Sequence, residues 1–281
     1  MDKITFNLNQ NQDNLTQIEG RGFIKIKGAD RFEFLQGLIT QDVFKLKSQP
    51  LIYSCFLTPQ GRYLFDFFIF EDNDALVLDL TKDQAEKFFK KLKIYKLRSK
   101  VSLELLLEEG YSVSYYVGSS APQNVLGGSD PRKNDLGHRL YNFKAPKEMI
   151  EFSYDDYRYA SSIIEGDQDM IQDKSTLLEC RMDELNAVDF KKGCYIGQEL
   201  TARTHYRGLL KRKLYHFSYD GQIEADLDII DTDGKTIGTI RSNHEIQSGK
   251  GFGFALMKVS EEFQGKEFDI NGLKLFFKVQ D

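Results

Sequence analysis

At 281 residues the chain is too long for one small core and implies two domains, or one large domain with an appendage. A hydrophobic share of 41%, charged residues at 29% and a formal charge of −5 describe an ordinary soluble protein, so any affinity for nucleic acid has to come from a local patch. The three cysteines, Cys55, Cys180 and Cys194, are odd in number, far apart and without a C-x-x-C pair. This argues against a disulfide framework and against a self-contained four-ligand zinc or iron–sulfur site.

The N-terminus, M-D-K-I-T-F-N-L-N-Q, has no basic region followed by an apolar run and no Arg-rich amphipathic pattern, so it reads as neither signal nor transit peptide. The longest apolar stretches, such as Leu64 to Phe70, are far too short to span a bilayer. A cytoplasmic protein with no membrane partner is the expectation. Gly22 to Lys27 alternates as a strand, and Asp30 is expected to cap a helix over Arg31 to Leu38 whose Phe34, Leu35 and Leu38 form an apolar stripe. Leu51 to Leu57, the turn Thr58-Pro59-Gln60-Gly61 and Arg62 to Phe70 predict a β-hairpin. Strict alternation on its second strand puts Tyr63, Phe65, Phe67 and Ile69 on one face and Leu64, Asp66, Phe68 and Phe70 on the other.

Asp66 is then the one carboxylate on a strand apolar on both faces. Buried there, it must be hydrogen-bonded, paired or protonated, which makes it a site candidate; the plainer alternative is an edge position facing water. Lys82 to Lys93 predicts an amphipathic helix with Ala85, Phe88, Phe89 and Leu92 on one face. Strands follow over Val101 to Leu107, Tyr111 to Val117 and Leu140 to Phe143, with a Gly/Ser/Pro-rich loop over Gly118 to Gly137 and a helix over Tyr154 to Ile163.

Lys191 to Gly208, K-K-G-C-Y-I-G-Q-E-L-T-A-R-T-H-Y-R-G, is the most specific stretch in the chain. Gly193 and Gly197 flank Cys194-Tyr195-Ile196 and predict a tight loop in which at least one flanking residue needs a positive φ or a close backbone approach. A helix over Gln198 to Tyr206 follows. A thiol before a helix start and beside Lys191 and Lys192 meets a positive field that favours the thiolate; the alternative is a small buried cysteine in a glycine turn. Glu199, Arg203 and Arg207 share one helix face as a salt-bridge stripe, and with Lys191, Lys192, His205, Lys211, Arg212 and Lys213 they give a basic cluster suited to an anionic ligand or simply solvated. Beyond Gly208 the period becomes alternating, through Tyr215, Phe217 and Tyr219 and through hairpins at Asp231-Thr232-Asp233-Gly234 and Asn271-Gly272, the latter with Leu273, Leu275, Phe277 and Val279 on one face. This predicts a small barrel or sandwich and a boundary near residue 209, giving domains 1–208 and 209–281.

Lys192-Gly193-Cys194-Tyr195-Ile196-Gly197-Gln198-Glu199 with Arg203 and Tyr206-Arg207-Gly208 closely resembles the K-G-C-[FY]-x-G-Q-E-x-x-x-R signature of the YgfZ family, which includes the mitochondrial Iba-type iron–sulfur assembly factors. Gly28-Ala29-Asp30-Arg31, Phe34-Leu35-Gln36-Gly37 and Thr40 with Asp42 resemble the family's N-terminal motif, and Gly61 to Asp66 its G-[RK]-x-x-x-D hairpin. The family is related to the T-protein of glycine cleavage, a folate-dependent aminomethyltransferase. The resemblance implies an α+β fold with three small subdomains around a central folate-binding channel, followed by a C-terminal β-barrel. In the T-protein, Asp stands where this chain has Cys194, and the hairpin carries paired acids where it has Phe65-Asp66.

Those departures favour a tetrahydrofolate-binding factor, the folate bound as such or as a one-carbon derivative, that supports assembly or repair of iron–sulfur clusters. Effects on tRNA-modifying enzymes and a transient cluster shared with a partner are also implied. The resemblance makes Cys194 the reactive or metal-touching thiol and Asp66 the contact to the pterin. Arg203 and Arg207 are carried over as anchors for carboxylates or for the loop, with Lys192, Gln198 and Glu165 as further cofactor contacts. Expected partners are iron–sulfur proteins or assembly factors, with no stable nucleic-acid complex. A folate-dependent aminomethyltransferase and a tRNA-binding protein are the alternatives.

Overall fold

The computed structural model describes residues 8, 12–108, 110–118, 122–145, 149–208, 210–223, 227–230, 234–260, 265–270 and 273–278. The first seven residues of the N-terminal reading, the turn residues Asp231-Thr232-Asp233 and Asn271-Gly272, and Val279 lie outside that set. Strands β1 (Asn14–Gln17) and β2 (Arg21–Lys27) precede helix α1 (Arg31–Gln36); β3 (Ile52–Leu57), β4 (Tyr63–Asp72) and β5 (Ala75–Thr81) lead into α2 (Lys82–Lys96). Then come β6 (Ser102–Leu106), β7 (Val113–Val117), β8 (Leu126–Ser129) and β9 (His138–Tyr141), and the helices α3 (Tyr154–Ala160), α4 (Gly166–Asp169) and α5 (Gln198–Arg207). The last strands are β10 (Arg212–Asp220), β11 (Asp228–Ile230), β12 (Thr236–Gln247), β13 (Lys250–Lys258), β14 (Glu267–Ile270) and β15 (Leu273–Phe277).

Three antiparallel sheets result, in the orders β3-β4-β5-β2-β6, β1-β7-β9-β8 and β11-β12-β13-β10-β15-β14. In the first, β3, β4 and β5 are buried on both faces, which is why these strands are almost continuously apolar. One face packs Ile24, Ile69 and Leu78 against Leu35 of α1 and Phe88 and Leu92 of α2. The other joins Phe68 and Phe70 to the second sheet's Tyr115 and Tyr141. Where a C-terminal barrel is expected, the described residues form a six-stranded sheet whose edges are β11 and β14. Its Phe217, Ala255 and Met257 face a core of their own, while Leu214, Phe254 and Leu256 join the large cluster of the N-terminal part.

Buried ion pairs stitch these layers. Asp79 on β5 holds Arg21 on β2 and Arg139 on β9, each at 2.7 Å, linking the first sheet to the second. Arg158 on α3 meets Asp169 of α4 at 3.0 Å, and Asp169 accepts the Ser242 hydroxyl of β12 at 2.5 Å, linking the helices to the third sheet. Arg132, Arg139 and Arg158 are each 1% exposed, and no periodic pattern in the sequence marks them as interior.

Several local expectations change. Asp30 does not cap α1: its side chain accepts the Lys100 backbone N–H at 2.7 Å, tying the start of α1 to the turn after α2. The Gly/Ser/Pro-rich stretch contains β8, because pairing with β9 overrides its composition. The register of the β3–β4 hairpin shifts between Phe56 and Leu57, so strict alternation fails at the start of β4. Tyr63 therefore joins Phe68 and Phe70 on one side, and Leu64 joins Phe65 and Phe67 on the other.

Candidate functional site

The hairpin shift builds the surroundings of Asp66. It brings the Tyr63 hydroxyl onto the same side, where it donates to Asp66 Oδ1 at 2.5 Å, while Tyr53 on β3 donates to Oδ2 at 2.6 Å. The Gly166 N–H, at the first residue of α4, donates to Oδ2 at 3.2 Å. Burial first, and then the Asp66 charge, push both tyrosine hydroxyls well above their usual range, so they remain neutral donors. Asp66 is thus a half-buried, hydrogen-bonded carboxylate inside a strand.

Glu165 stands beside it. Arg132 reaches Glu165 at 2.9 Å and the Tyr154 hydroxyl donates at 2.6 Å. Burial opposes its ionisation, but Arg132 and Arg158 outweigh it and hold the carboxyl at about 2. Asp167, which the sequence reading passes over, joins this group. Protein packed round its carboxyl, with Asp66 and Glu165 nearby, raises its pKa even though the residue reaches solvent. Arg21, Gln84, Asp66, Glu165 and Asp167 line a cavity of about 10 Å³, room for a single water. The carboxylates match the N–H edge of a pterin in chemistry, but the space does not: the room beside Asp66 is that of about one water, and Arg132 lies over the rings of Tyr53 and Phe68. In this arrangement the residues do not fit a folate. Tyr53 also lines a wider cavity of about 370 Å³, with Gln41, Lys45, Asn134 and Asn186.

The loop at Lys191 to Gly197 is held by three devices. Asp189 accepts the Lys191 and Lys192 N–H groups at 2.7 and 3.1 Å and pairs with Lys45 at 2.7 Å. Lys192 turns inward, its ammonium donating to the carbonyls of Gln36, Ile39 and Gln41 at 2.8, 2.7 and 2.9 Å, and burial lowers its pKa to about 8. This corrects the reading of Lys192 as a cofactor contact: the carbonyls of Gln36, the last residue of α1, and of Ile39 and Gln41 already use its three donors. Gly197, at φ +80°, carries the third device. A Cβ there would lie 2.4 Å from the Thr58 carbonyl, so the loop sits directly on the hairpin turn. Gly193 has no positive φ and no close neighbour, so of the two flanking glycines only Gly197 meets the expectation.

Seated this way, the loop presents Cys194 to solvent, whereas Cys55 and Cys180 are buried. Burial pushes the Cys180 thiol up to about 12 and the Cys55 thiol well above its usual range. Cys194 lines an open cleft of about 620 Å³ with Pro59, Gln198, Arg203, Tyr206 and Arg207. Arg203 pairs with Glu199 at 2.5 Å as the i,i+4 spacing predicts, and Tyr206 is 71% exposed. The expected basic cluster is dispersed: Arg212 pairs with Glu179 and Lys213 with Glu184, and His205 stacks on Phe190 with ring centres 3.7 Å apart. No residue lines both the Asp66 cavity and the Cys194 cleft, so the candidate residues fall into two separate groups.

No protein-family model matches the chain. The glycine cleavage aminomethyltransferase T of Bartonella henselae superposes with a TM-score of 0.76 over 96% of this chain and 86% of that one, at 16% identity. The fold is that of an aminomethyltransferase. Within it, sequence similarity runs to proteins of another description. The mitochondrial iron–sulfur cluster assembly factor IBA57 homolog of Pyricularia oryzae is 30% identical over 243 residues, covering 76% of this chain and 61% of its own. Those of Mycosarcoma maydis and Neurospora crassa are each 32% identical and cover 73% and 75% of this chain. The chain spans 61%, 57% and 56% of the lengths of these three relatives.

Proposed function

We propose that the chain is an iron–sulfur cluster assembly factor that lends the Cys194 thiolate as one ligand of a cluster shared with a partner protein. The observation that carries this reading is the presentation of Cys194: of three thiols it alone is exposed, on a loop locked to the hairpin turn. Among the described residues no group of three His, Cys, Asp or Glu side chains is arranged to hold a metal ion, so the other ligands come from the partner. Ligation releases the thiol proton and leaves a thiolate–metal bond, and Arg207 on the cleft wall, where Arg203 is already paired with Glu199, favours the negative charge of a thiolate-bound cluster. The similarity to relatives named as assembly factors supports the same reading.

Within this proposal the signature at Cys194 makes the chain a YgfZ-type factor, with tRNA-modifying enzymes among its clients. Its compartment is that of the assembly machinery: the relatives are mitochondrial by name, whereas the sequence reading gives a cytoplasmic default. Cys194→Ala and Asp66→Asn, expressed in a strain lacking the native gene and scored by cluster-dependent enzyme activity and tRNA thiolation, test it. We expect loss with Cys194→Ala; full rescue by that variant sinks the proposal.

Tetrahydrofolate binding, with Asp66 and Glu165 as its readers, requires the small cavity beside them to widen. Calorimetric titration decides it. Saturable binding that Asp66→Asn weakens at least about tenfold, the loss of one charge-assisted hydrogen bond, supports a folate site there. Wild type that takes up no tetrahydrofolate removes folate from the proposal and leaves the thiol cleft standing.

A further inference from the structure

The C-terminal half of α2 carries a feature that neither candidate site uses. Lys90, Lys91, Lys93, Lys96, Arg98 and Lys100 place six cations in eleven residues of a chain whose net charge is −5. The helix's acids lie in its first half, where Asp83 pairs with Lys87 at 2.6 Å. Among the described residues none of the six cations is in an ion pair. Between them, Ile94 is 70% and Leu97 86% exposed. The fold does not need these two side chains, since Ala85, Phe88 and Leu92 on the opposite face already seat α2 on the first sheet. Leu97 ends the helix at φ +40°, a conformation costly for a leucine, and its exposure makes it a projecting tip.

We propose that this end of α2 is a docking surface for an anionic lipid bilayer, with Ile94 and Leu97 entering the headgroup region and the surrounding lysines meeting lipid phosphates. The charges are complementary, and a projecting aliphatic tip ringed by lysines suits a deformable surface. The competing partners fit less well. Binding to RNA relies on open aromatic platforms for base stacking, and the aromatics among these cations, Phe89 and Tyr95, are only partly exposed and pack against the core of the first sheet, with Lys93 over the Phe89 ring. Protein interfaces are depleted in lysine, which supplies five of the six charges here. Among the described residues no helix is long and apolar enough to cross a membrane, and the contact proposed is with the headgroup region alone. The sequence reading expects no membrane partner because it scores spanning length, and exposure of Ile94 and Leu97 is not visible in periodicity.

The test uses the full chain with vesicles of phosphatidylcholine alone or with roughly one-third phosphatidylglycerol. We expect co-sedimentation with the anionic vesicles only, fading as salt shortens the screening length. Replacing Lys90, Lys93 and Lys96 by Gln should lower partitioning about a hundredfold, at about fivefold per lysine. Ile94→Asn with Leu97→Asn should lower it roughly tenfold or more. Four of the five side chains are exposed and Lys96 is partly so, and an unchanged thermal midpoint verifies that the variants fold. Absence of binding to anionic vesicles, equal binding to both vesicle types, or indifference to both sets of substitutions overturns the proposal. So does a salt-dependent complex with tRNA through the same lysines that displaces the vesicles, which assigns the patch to nucleic acid.

Discussion

Single side chains differ here mainly in how far the fold lets them reach solvent. Cys194 is exposed while Cys55 and Cys180 are sealed, so a thiol reagent added to the native protein should modify one cysteine per chain, and all three after denaturation. Rapid native labelling of a second thiol, read by mass spectrometry, would contradict the structure. Glu165 gives a pH dependence of defined sign. Its folded pKa of about 2 lies below the usual carboxyl value of 4.5, so the unfolded chain binds more protons between those values. The stability it contributes is present above pH 4.5 and is lost as pH falls toward 2. Glu165→Gln should therefore lower the urea midpoint most at neutral pH, with the gap to wild type closing over that acid window. A gap that stays constant with pH shows that Arg132 does not stabilise the charged form.

At the scale of elements, the signature loop and the β3–β4 turn form one unit. Gly197 at φ +80° and Gly61 at φ +77° face each other, and a Cβ on Gly61 would meet Leu200 Cβ at 2.7 Å and the Gly197 carbonyl at 2.9 Å. Gly197→Ala meets both a left-handed backbone and the Thr58 carbonyl, so we expect a loss of about 1–3 kcal/mol in urea unfolding. A change within error would mean that the loop is not seated on the turn. The sequence makes much of this unit legible, because glycine spacing and the Pro-Gly turn are local signals. It does not show where Lys192 points. That depends on the carbonyls of Gln36, Ile39 and Gln41, more than 150 positions away in the chain. The two faces of β4 are misread for a related reason: the β-bulge that moves Tyr63 beside Asp66 leaves no mark in an alternating run.

For the whole molecule, cohesion between layers rests on buried ion pairs as well as on apolar packing. Asp79 joins β2 and β9 through Arg21 and Arg139, and Asp79→Asn leaves two cations without their counter-charge. We expect a loss of about 3–5 kcal/mol, measured by chemical denaturation; a loss below about 1 kcal/mol would show that solvent reaches the pair. The sequence by itself determined the mixed α and β elements, the hairpin carrying Asp66, the helix after Cys194 and the change to alternating strands after Gly208, since each is written in local periodicity and turn chemistry. Tertiary structure decided which charges meet. It buried Arg132, Arg139 and Arg158, left room for about one water beside Asp66, drew Arg203, Arg212 and Lys213 of the expected basic cluster into ion pairs and left six cations without one at the end of α2. Burial and pairing depend on residues distant in the chain, and a one-dimensional pattern holds no record of those distances.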